Sequence, residues 1–155
     1  MIPRNAMALV CDDFRVEITG KYIIVGMYSG NIAIPAEPFR VNQLAFVFLI
    51  ESDVSDPMSS LAIEVTLPGE PTQHMKVPLP TELRPEPLEG STRWIHRVPM
   101  VINNPSLRVG PTVAKVIHDK GEIRVGGIPI IVKLQSDAIP SAFMALGPVP
   151  EAPQP

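Results

Sequence analysis

The stretch from Leu9 to Tyr28 constrains the fold more than any other part of the chain, because it reads as strand, turn and returning strand with little slack. Phe14, Val16 and Ile18 alternate with Arg15, Glu17 and Thr19, the period of two that marks a half-buried strand. Thr19-Gly20 follows as a turn dipeptide whose glycine tolerates positive φ, and Tyr22 to Met27 returns as a nearly continuous apolar run. A two-residue Thr19-Gly20 loop sets Ile18 opposite Lys21, Val16 opposite Ile23 and Phe14 opposite Val25. In that register Phe14, Val16, Ile18, Ile23 and Val25 form one apolar face, which is expected to turn inward against a second layer.

The nineteen prolines among 155 residues point the same way. They are about twice as frequent as in an average protein, and most lie between the candidate strands. Proline lacks the N–H that a central strand or helix interior needs. An all-β chain with punctuated loops accommodates this distribution, and a helical bundle does not.

Further strands follow along the chain. Asn31 to Ile34 is short and ends at Pro35. Leu44 to Ile50 is apolar throughout, as expected of a strand covered on both faces. Leu61, Ile63, Val65 and Leu67 alternate with Ala62, Glu64 and Thr66, and Gln73 to Val77 is expected to pair back as a short edge strand after the Pro68-Gly69 turn. Trp94, His96, Val98, Met100 and Ile102 share one side of a strand that Pro99 assigns to an edge or a bulge. A second hairpin spans Val113 to Glu122, with Asp119-Lys120-Gly121 read as a three-residue loop that places Ile117 opposite Ile123. Gly126-Gly127 is either a tight turn or a bulge, and Ile128 to Leu134 alternates as a last strand.

These eight or nine strands predict a two-layer antiparallel β-sandwich, immunoglobulin-like or C2-like, with a small β-barrel as the alternative. Residues 1–136 form the predicted domain, long enough to bury roughly 70% of the unfolded surface. Pro78 to Gly90 is a long irregular connection. Residues 137–155 are an Ala/Pro-rich tail, expected to be largely disordered. Its apolar island Ala142 to Leu146 suits docking on its own domain better than a partner.

Charge and motifs exclude more functions than they suggest. A net charge of −3 with scattered basic residues offers no electrostatic footprint for nucleic acid. No apolar run approaches the twenty residues a membrane-spanning helix needs, and the N-terminal residues lack the pattern of a signal peptide, so the cytoplasm is the expected location. The single Cys11 allows no internal disulfide and reads as a small buried hydrophobe. His74, His96 and His118 have no zinc-ligand spacing. No nucleophile elbow or phosphate-cradling loop is present, so no catalytic residue, no cofactor and no enzymatic activity are expected. The weak metal candidates are Asp12, Asp13, Asp53 and Asp56, which would have to converge from two loops to hold calcium. Otherwise Asp12 or Asp13 bonds local backbone or Arg15, while Asp53 and Asp56 serve as turn residues.

Leu9-Val-Cys-Asp-Asp-Phe-Arg-Val-Glu17, Gly20-Lys21 and Ile24-Val-Gly-Met-Tyr28 together resemble the opening of a bacterial family of unknown function. Its members similarly begin with a hydrophobic strand, an acidic pair, an Arg-x-Glu step, a Gly-Lys turn and a strand ending in Gly-x-Tyr. The resemblance is sharpest over residues 7–35 and fainter from Leu44 to Gly69. It implies a compact β-sandwich and no activity, ligand or catalytic residue. The expected function is therefore a non-enzymatic protein-interaction or structural module, its partner another protein or a second copy of the chain. A calcium- or small-ligand-binding sandwich is the alternative.

Overall fold

A computed structural model describes residues 4–79 and 90–133. Among the described residues there are thirteen strands: β1 (Asn5–Val16), β2 (Tyr22–Tyr28), β3 (Ile32–Ile34), β4 (Phe39–Arg40), β5 (Gln43–Asp53), β6 (Leu61–Thr66), β7 (Gln73–Lys76), β8 (Arg93–Asn103), β9 (Ser106–Leu107), β10 (Gly110–Pro111), β11 (Val113–His118), β12 (Gly121–Val125) and β13 (Pro129–Val132). The excess over eight or nine comes mainly from two-residue strands too short to leave a periodic trace. The described residues contain no helix, and hence none long and apolar enough to cross a membrane. The predicted tail and most of the Pro78–Gly90 connection lie outside the described residues.

Two four-stranded antiparallel sheets, ordered β2-β1-β5-β8 and β12-β11-β6-β7, supply the two layers of a β-sandwich. Val10, Phe46, Phe48, Ile50 and Met100 from the first meet Ile63, Val65, Ala114 and Val116 from the second in one core. A third sheet, β10-β13-β3, and the β4–β9 pair add Ile32, Ile34, Leu107 and Ile130 to it. Within the third sheet β13 runs parallel to β3. Neither four-stranded sheet closes into a barrel among the described residues.

The alternation in β6 is realised as read: Leu61, Ile63, Val65 and Leu67 are buried, with β7 at the sheet edge. Residues Leu44 to Phe48 of β5 are all buried, because β5 lies between β1 and β8 and both of its faces are covered. Pro99 falls on β8, an edge strand of its sheet, where a missing N–H costs no ladder bond on the open side. Gly126-Gly127 is neither a tight turn nor a ladder bulge; it links β12 to β13. A Cβ at Gly127 would lie 1.6 Å from the Thr112 carbonyl oxygen, so only glycine permits this approach. Beside it, the Thr112 hydroxyl donates to the Ile128 carbonyl and accepts from the Ile128 N–H, both at 2.9 Å.

Both hairpin loops differ by one residue from their sequence reading. In β1–β2, the Glu17 N–H donates to the Lys21 carbonyl at 2.9 Å and the Gly20 N–H to the Glu17 carbonyl at 2.8 Å. The loop is therefore Ile18-Thr19-Gly20, with Gly20 at φ 77°. Val16 faces Tyr22, and Phe14 faces Ile24. In β11–β12 the error runs the other way: His118 faces Gly121 across a two-residue Asp119-Lys120 loop, and Ile123 faces Val116 in place of Ile117.

Replacing a side chain where both layers meet is expected to cost far more than trimming the hairpin tip. Ile63→Ala should lower the unfolding free energy by about 2–5 kcal/mol. Ile18→Ala, at a fully exposed position, should change it by no more than about 0.5 kcal/mol. Urea denaturation of the two variants beside the parent chain measures both.

Candidate functional site

The β1–β2 hairpin does not bury the face expected of it. Of these two strands, Ala6, Ala8, Val10 and Tyr28 pack on the main core, and nothing between Cys11 and Met27 does. A second, smaller cluster lies on the opposite face of the sheet. There Cys11, Ala45 and Val47 are buried, with Leu9, Phe14 and Ile24 packed against them. Val10 and Phe14 are an even number of residues apart, as are Tyr28 and Ile24, yet each pair splits between the two faces.

The reversal falls at Asp12 and Gly26. The ladder steps from Cys11↔Met27 to Asp13↔Val25 with no bridge between Asp12 and Gly26, and Gly26 has φ 66°. The Asp12 carboxylate occupies the space over Gly26, where a Cβ would meet its Oδ2 at 2.0 Å. The Tyr28 hydroxyl donates to Asp12 Oδ1. Burial first, then the Asp12 carboxylate, pushes the Tyr28 hydroxyl up to about 12. Asp12, Gly26 and Tyr28 thus interlock at the point where the pleat turns over.

Beyond this reversal the actual register places Phe14, Val16, Tyr22 and Ile24 on one face, with the Phe14 and Tyr22 rings 5.0 Å apart. Arg15, Ile23, Asp13 and Val25 share the other. Phe14 is half-buried, but Val16, Ile18, Ile23 and Val25 are 57%, 105%, 40% and 46% exposed. The inward apolar face read from the sequence is therefore corrected: most of it faces solvent, because neither cluster extends past Phe14 and Ile24.

The candidate carboxylates do not converge. Asp13 lies by the start of β5, where its Oδ1 accepts from Gln43 Nε2 at 2.6 Å, whereas Asp53 ends that strand. Ten residues of strand separate Gln43 from Asp53, roughly 33 Å at the usual rise. Asp13 also accepts from its neighbour's Phe14 N–H at 2.8 Å and from Arg15 Nε at 2.7 Å. Arg15 foremost holds its carboxyl below the usual range. Asp53 caps a turn by accepting from the Ser55 N–H and hydroxyl at 2.9 and 2.6 Å. Among the described residues no three His, Cys, Asp or Glu side chains gather closely enough to hold a metal ion. Asp12, Asp13, Arg15, Val41, Asn42 and Gln43 line an open, shallow hollow of about 630 Å³.

Asp56 belongs to a cluster the sequence did not reveal. Arg4, its side chain 7% exposed, donates from Nη1 to Asp119 Oδ1 at 2.9 Å and to His118 Nδ1 at 2.8 Å. Its Nη2 lies 3.5 Å from Asp56, which also pairs with Lys120. The Ser59 N–H adds a bond to Asp119 at 3.2 Å. His118, read as an exposed hairpin residue, is thus half-buried and tied to the start of β1. Burial, then the Arg4 charge, pulls its pKa down, while Arg4 holds Asp119 down at about 2. No local signal could expose this clasp, because Arg4 and Asp119 are 115 residues apart.

Cys11 is fully buried, and burial followed by Asp12 raises its thiol above the ordinary value, the opposite of an activated nucleophile. Among the other histidines, His74 is exposed beside Glu64 at 3.2 Å.

Fold and side chains together define an all-β sandwich protein in which the acidic pair and the cysteine serve the architecture of one hairpin. The chain belongs to a family described as "Family of unknown function (DUF6941)", whose model matches residues 6–113, from β1 to the first residue of β11. No curated protein and no solved structure matches it significantly.

The clasp makes stability pH-dependent with a definite sign. A carboxyl whose pKa falls on folding stabilises above its unfolded value, near 3.9, and loses that contribution as pH drops toward its folded value. For Asp119 the window runs from about 4 down to about 2. Asp119→Asn is expected to lower the melting temperature at pH 7 and to flatten its decline across that window, measured by thermal melts at a series of pH values.

Proposed function

We propose that the chain is a non-enzymatic protein-interaction module whose contact surface is the β1–β2 hairpin and the free edge of β2. One observation carries this reading. Among the described residues, six of the thirteen exposed large hydrophobic residues, Val16, Ile18, Tyr22, Ile23, Val25 and Met27, fall within twelve consecutive positions. Scattered exposed apolar residues are ordinary, but their concentration on one hairpin, here over both of its faces, supports a surface that another molecule covers.

The backbone supports the same surface. Among the described residues β2 is bonded on one side alone, to β1. It contains neither charge nor proline from Tyr22 to Tyr28. Edge strands that must stay unpaired usually carry such protection, and β8 at the far edge of the same sheet has Arg93, Arg97 and Pro99. Up to the pleat reversal at Gly26, the Tyr22–Val25 stretch of this edge is free to accept an added strand, with main-chain bonds giving affinity and flanking side chains giving selectivity.

Calcium binding gains no support from the geometry, since Asp12 and Asp13 sit far from Asp53 and each is engaged within the chain.

Val25→Lys combined with Met27→Lys places two charges on the edge at exposed positions. The double variant is expected to keep the parent's circular dichroism and melting temperature and to lose the protein that the parent retains in quantitative affinity capture from native lysate. Equal retention by the folded variant would contradict the proposal.

A further inference from the structure

One partner in the Arg4 clasp has a hydrogen-bonding role that depends on its charge. His118 Nδ1 lies 2.8 Å from Arg4 Nη1 and 3.2 Å from the Lys120 backbone nitrogen. A guanidinium and a peptide N–H can only donate. Nδ1 therefore accepts from both, and the imidazole is neutral with its proton on Nε2. We propose that the clasp is a proton-operated latch: a proton on His118 Nδ1 breaks both bonds and releases Arg4, loosening the start of β1 from the β11–β12 hairpin.

The latch joins the two layers of the sandwich. Arg4 precedes β1 in the β2-β1-β5-β8 sheet, whereas His118 ends β11 and Asp119 lies in the loop to β12, both in the other sheet. Asp56, from the connection between β5 and β6, is a further partner of Arg4. The charged groups around His118 are Arg4 from the start of β1, Asp56, and Asp119 and Lys120 from its own hairpin. While His118 is neutral, two cations face two anions. Its protonation adds a third positive charge within hydrogen-bond distance of the guanidinium, where like charges repel.

Arg4 has little in reserve against that repulsion. Its side chain is 7% exposed, and its buried Nε has no acceptor among the described residues. The Nη bonds alone therefore stand in for water, and losing one favours a guanidinium turned out to solvent. Burial and then Arg4 oppose a proton on His118 more than Asp119 and Asp56 favour it, so its pKa lies below the ordinary value. A histidine lowered in this way stabilises the closed clasp above its ordinary pKa, about 6.5, and loses that contribution as pH drops toward the folded value. The loss begins well above the Asp119 window.

The full chain is tested by nuclear magnetic resonance titration of the His118 ring nitrogens, with hydrogen exchange of the Asn5 to Ala8 amides at pH 7.5 and pH 5 corrected for intrinsic rates. A neutral ring protonated on Nε2, a midpoint below the ordinary histidine value and a severalfold loss of protection at the start of β1 at pH 5 are expected. His118→Asn keeps an acceptor where Nδ1 stands and cannot take the proton, so its protection should be the same at both pH values. Arg4→Gln should raise the His118 midpoint toward the ordinary value. The titration and exchange of the parent chain need no variant, so a folding defect in either does not remove the test. A midpoint at or above the ordinary value would overturn the proposal. So would unchanged β1 protection across the His118 midpoint, which would show the proton held against Asp119 with the clasp shut. Equal loss of protection in folded His118→Asn would assign the pH response to another group and overturn it as well.

Discussion

Burial of β5 on both faces is the constraint on which the rest of this molecule depends. Five consecutive residues, Leu44 to Phe48, are buried, which a single second layer cannot achieve because alternate side chains point opposite ways. The β12-β11-β6-β7 sheet covers the side bearing Leu44, Phe46 and Phe48. On the other side Ala45 and Val47 meet Cys11, and their cover comes from Leu9, Phe14 and Ile24. The hairpin is therefore held to the outer side of its own sheet.

That demand explains the residues that look chemical in the sequence. To reach the outer cluster, the hairpin must reverse its pleat between Val10 and Phe14. The reversal requires positive φ opposite Asp12, which glycine supplies at position 26, and the Asp12 carboxylate fills the space left by the absent side chain. Tyr28 fixes that carboxylate by donating to it. Asp13 bonds Gln43 at the start of β5 and so ties the reversal to the central strand. What this arrangement spends on Phe14 and Ile24 leaves Val16, Ile23, Val25 and Met27 without a layer to cover them, and the proposed interaction surface is the result.

Much of the framework was legible from periodicity. The alternation of β6, the two-sided burial of β5 and the edge position signalled by Pro99 are each governed by local pattern and by burial, which sequence spacing reports directly. Asp13 bonding its neighbouring N–H and Arg15, and Asp53 acting in a turn, were readable for the same reason. The loops were not, because glycine suits the last position of a three-residue hairpin loop and the position just after a two-residue one. Gly20 takes the first role and Gly121 the second, and nothing adjacent distinguishes them. A one-residue error then exchanges which side chains share a face. The pleat reversal and the Arg4–Asp119 clasp were hidden more deeply, since each depends on partners remote in sequence.

The register and face of the β1–β2 hairpin are the centre of this account, and nuclear Overhauser contacts in solution test them most directly. Non-hydrogen-bonded antiparallel pairs bring their Cα atoms to about 4.5 Å. The three-residue loop therefore predicts strong Hα–Hα contacts between Val16 and Tyr22 and between Phe14 and Ile24, with the Phe14 ring contacting the Ala45 and Val47 methyls. Contacts of Val16 with Ile23 and of Phe14 with Val25, with the Phe14 ring against Phe46 or Phe48, would contradict it.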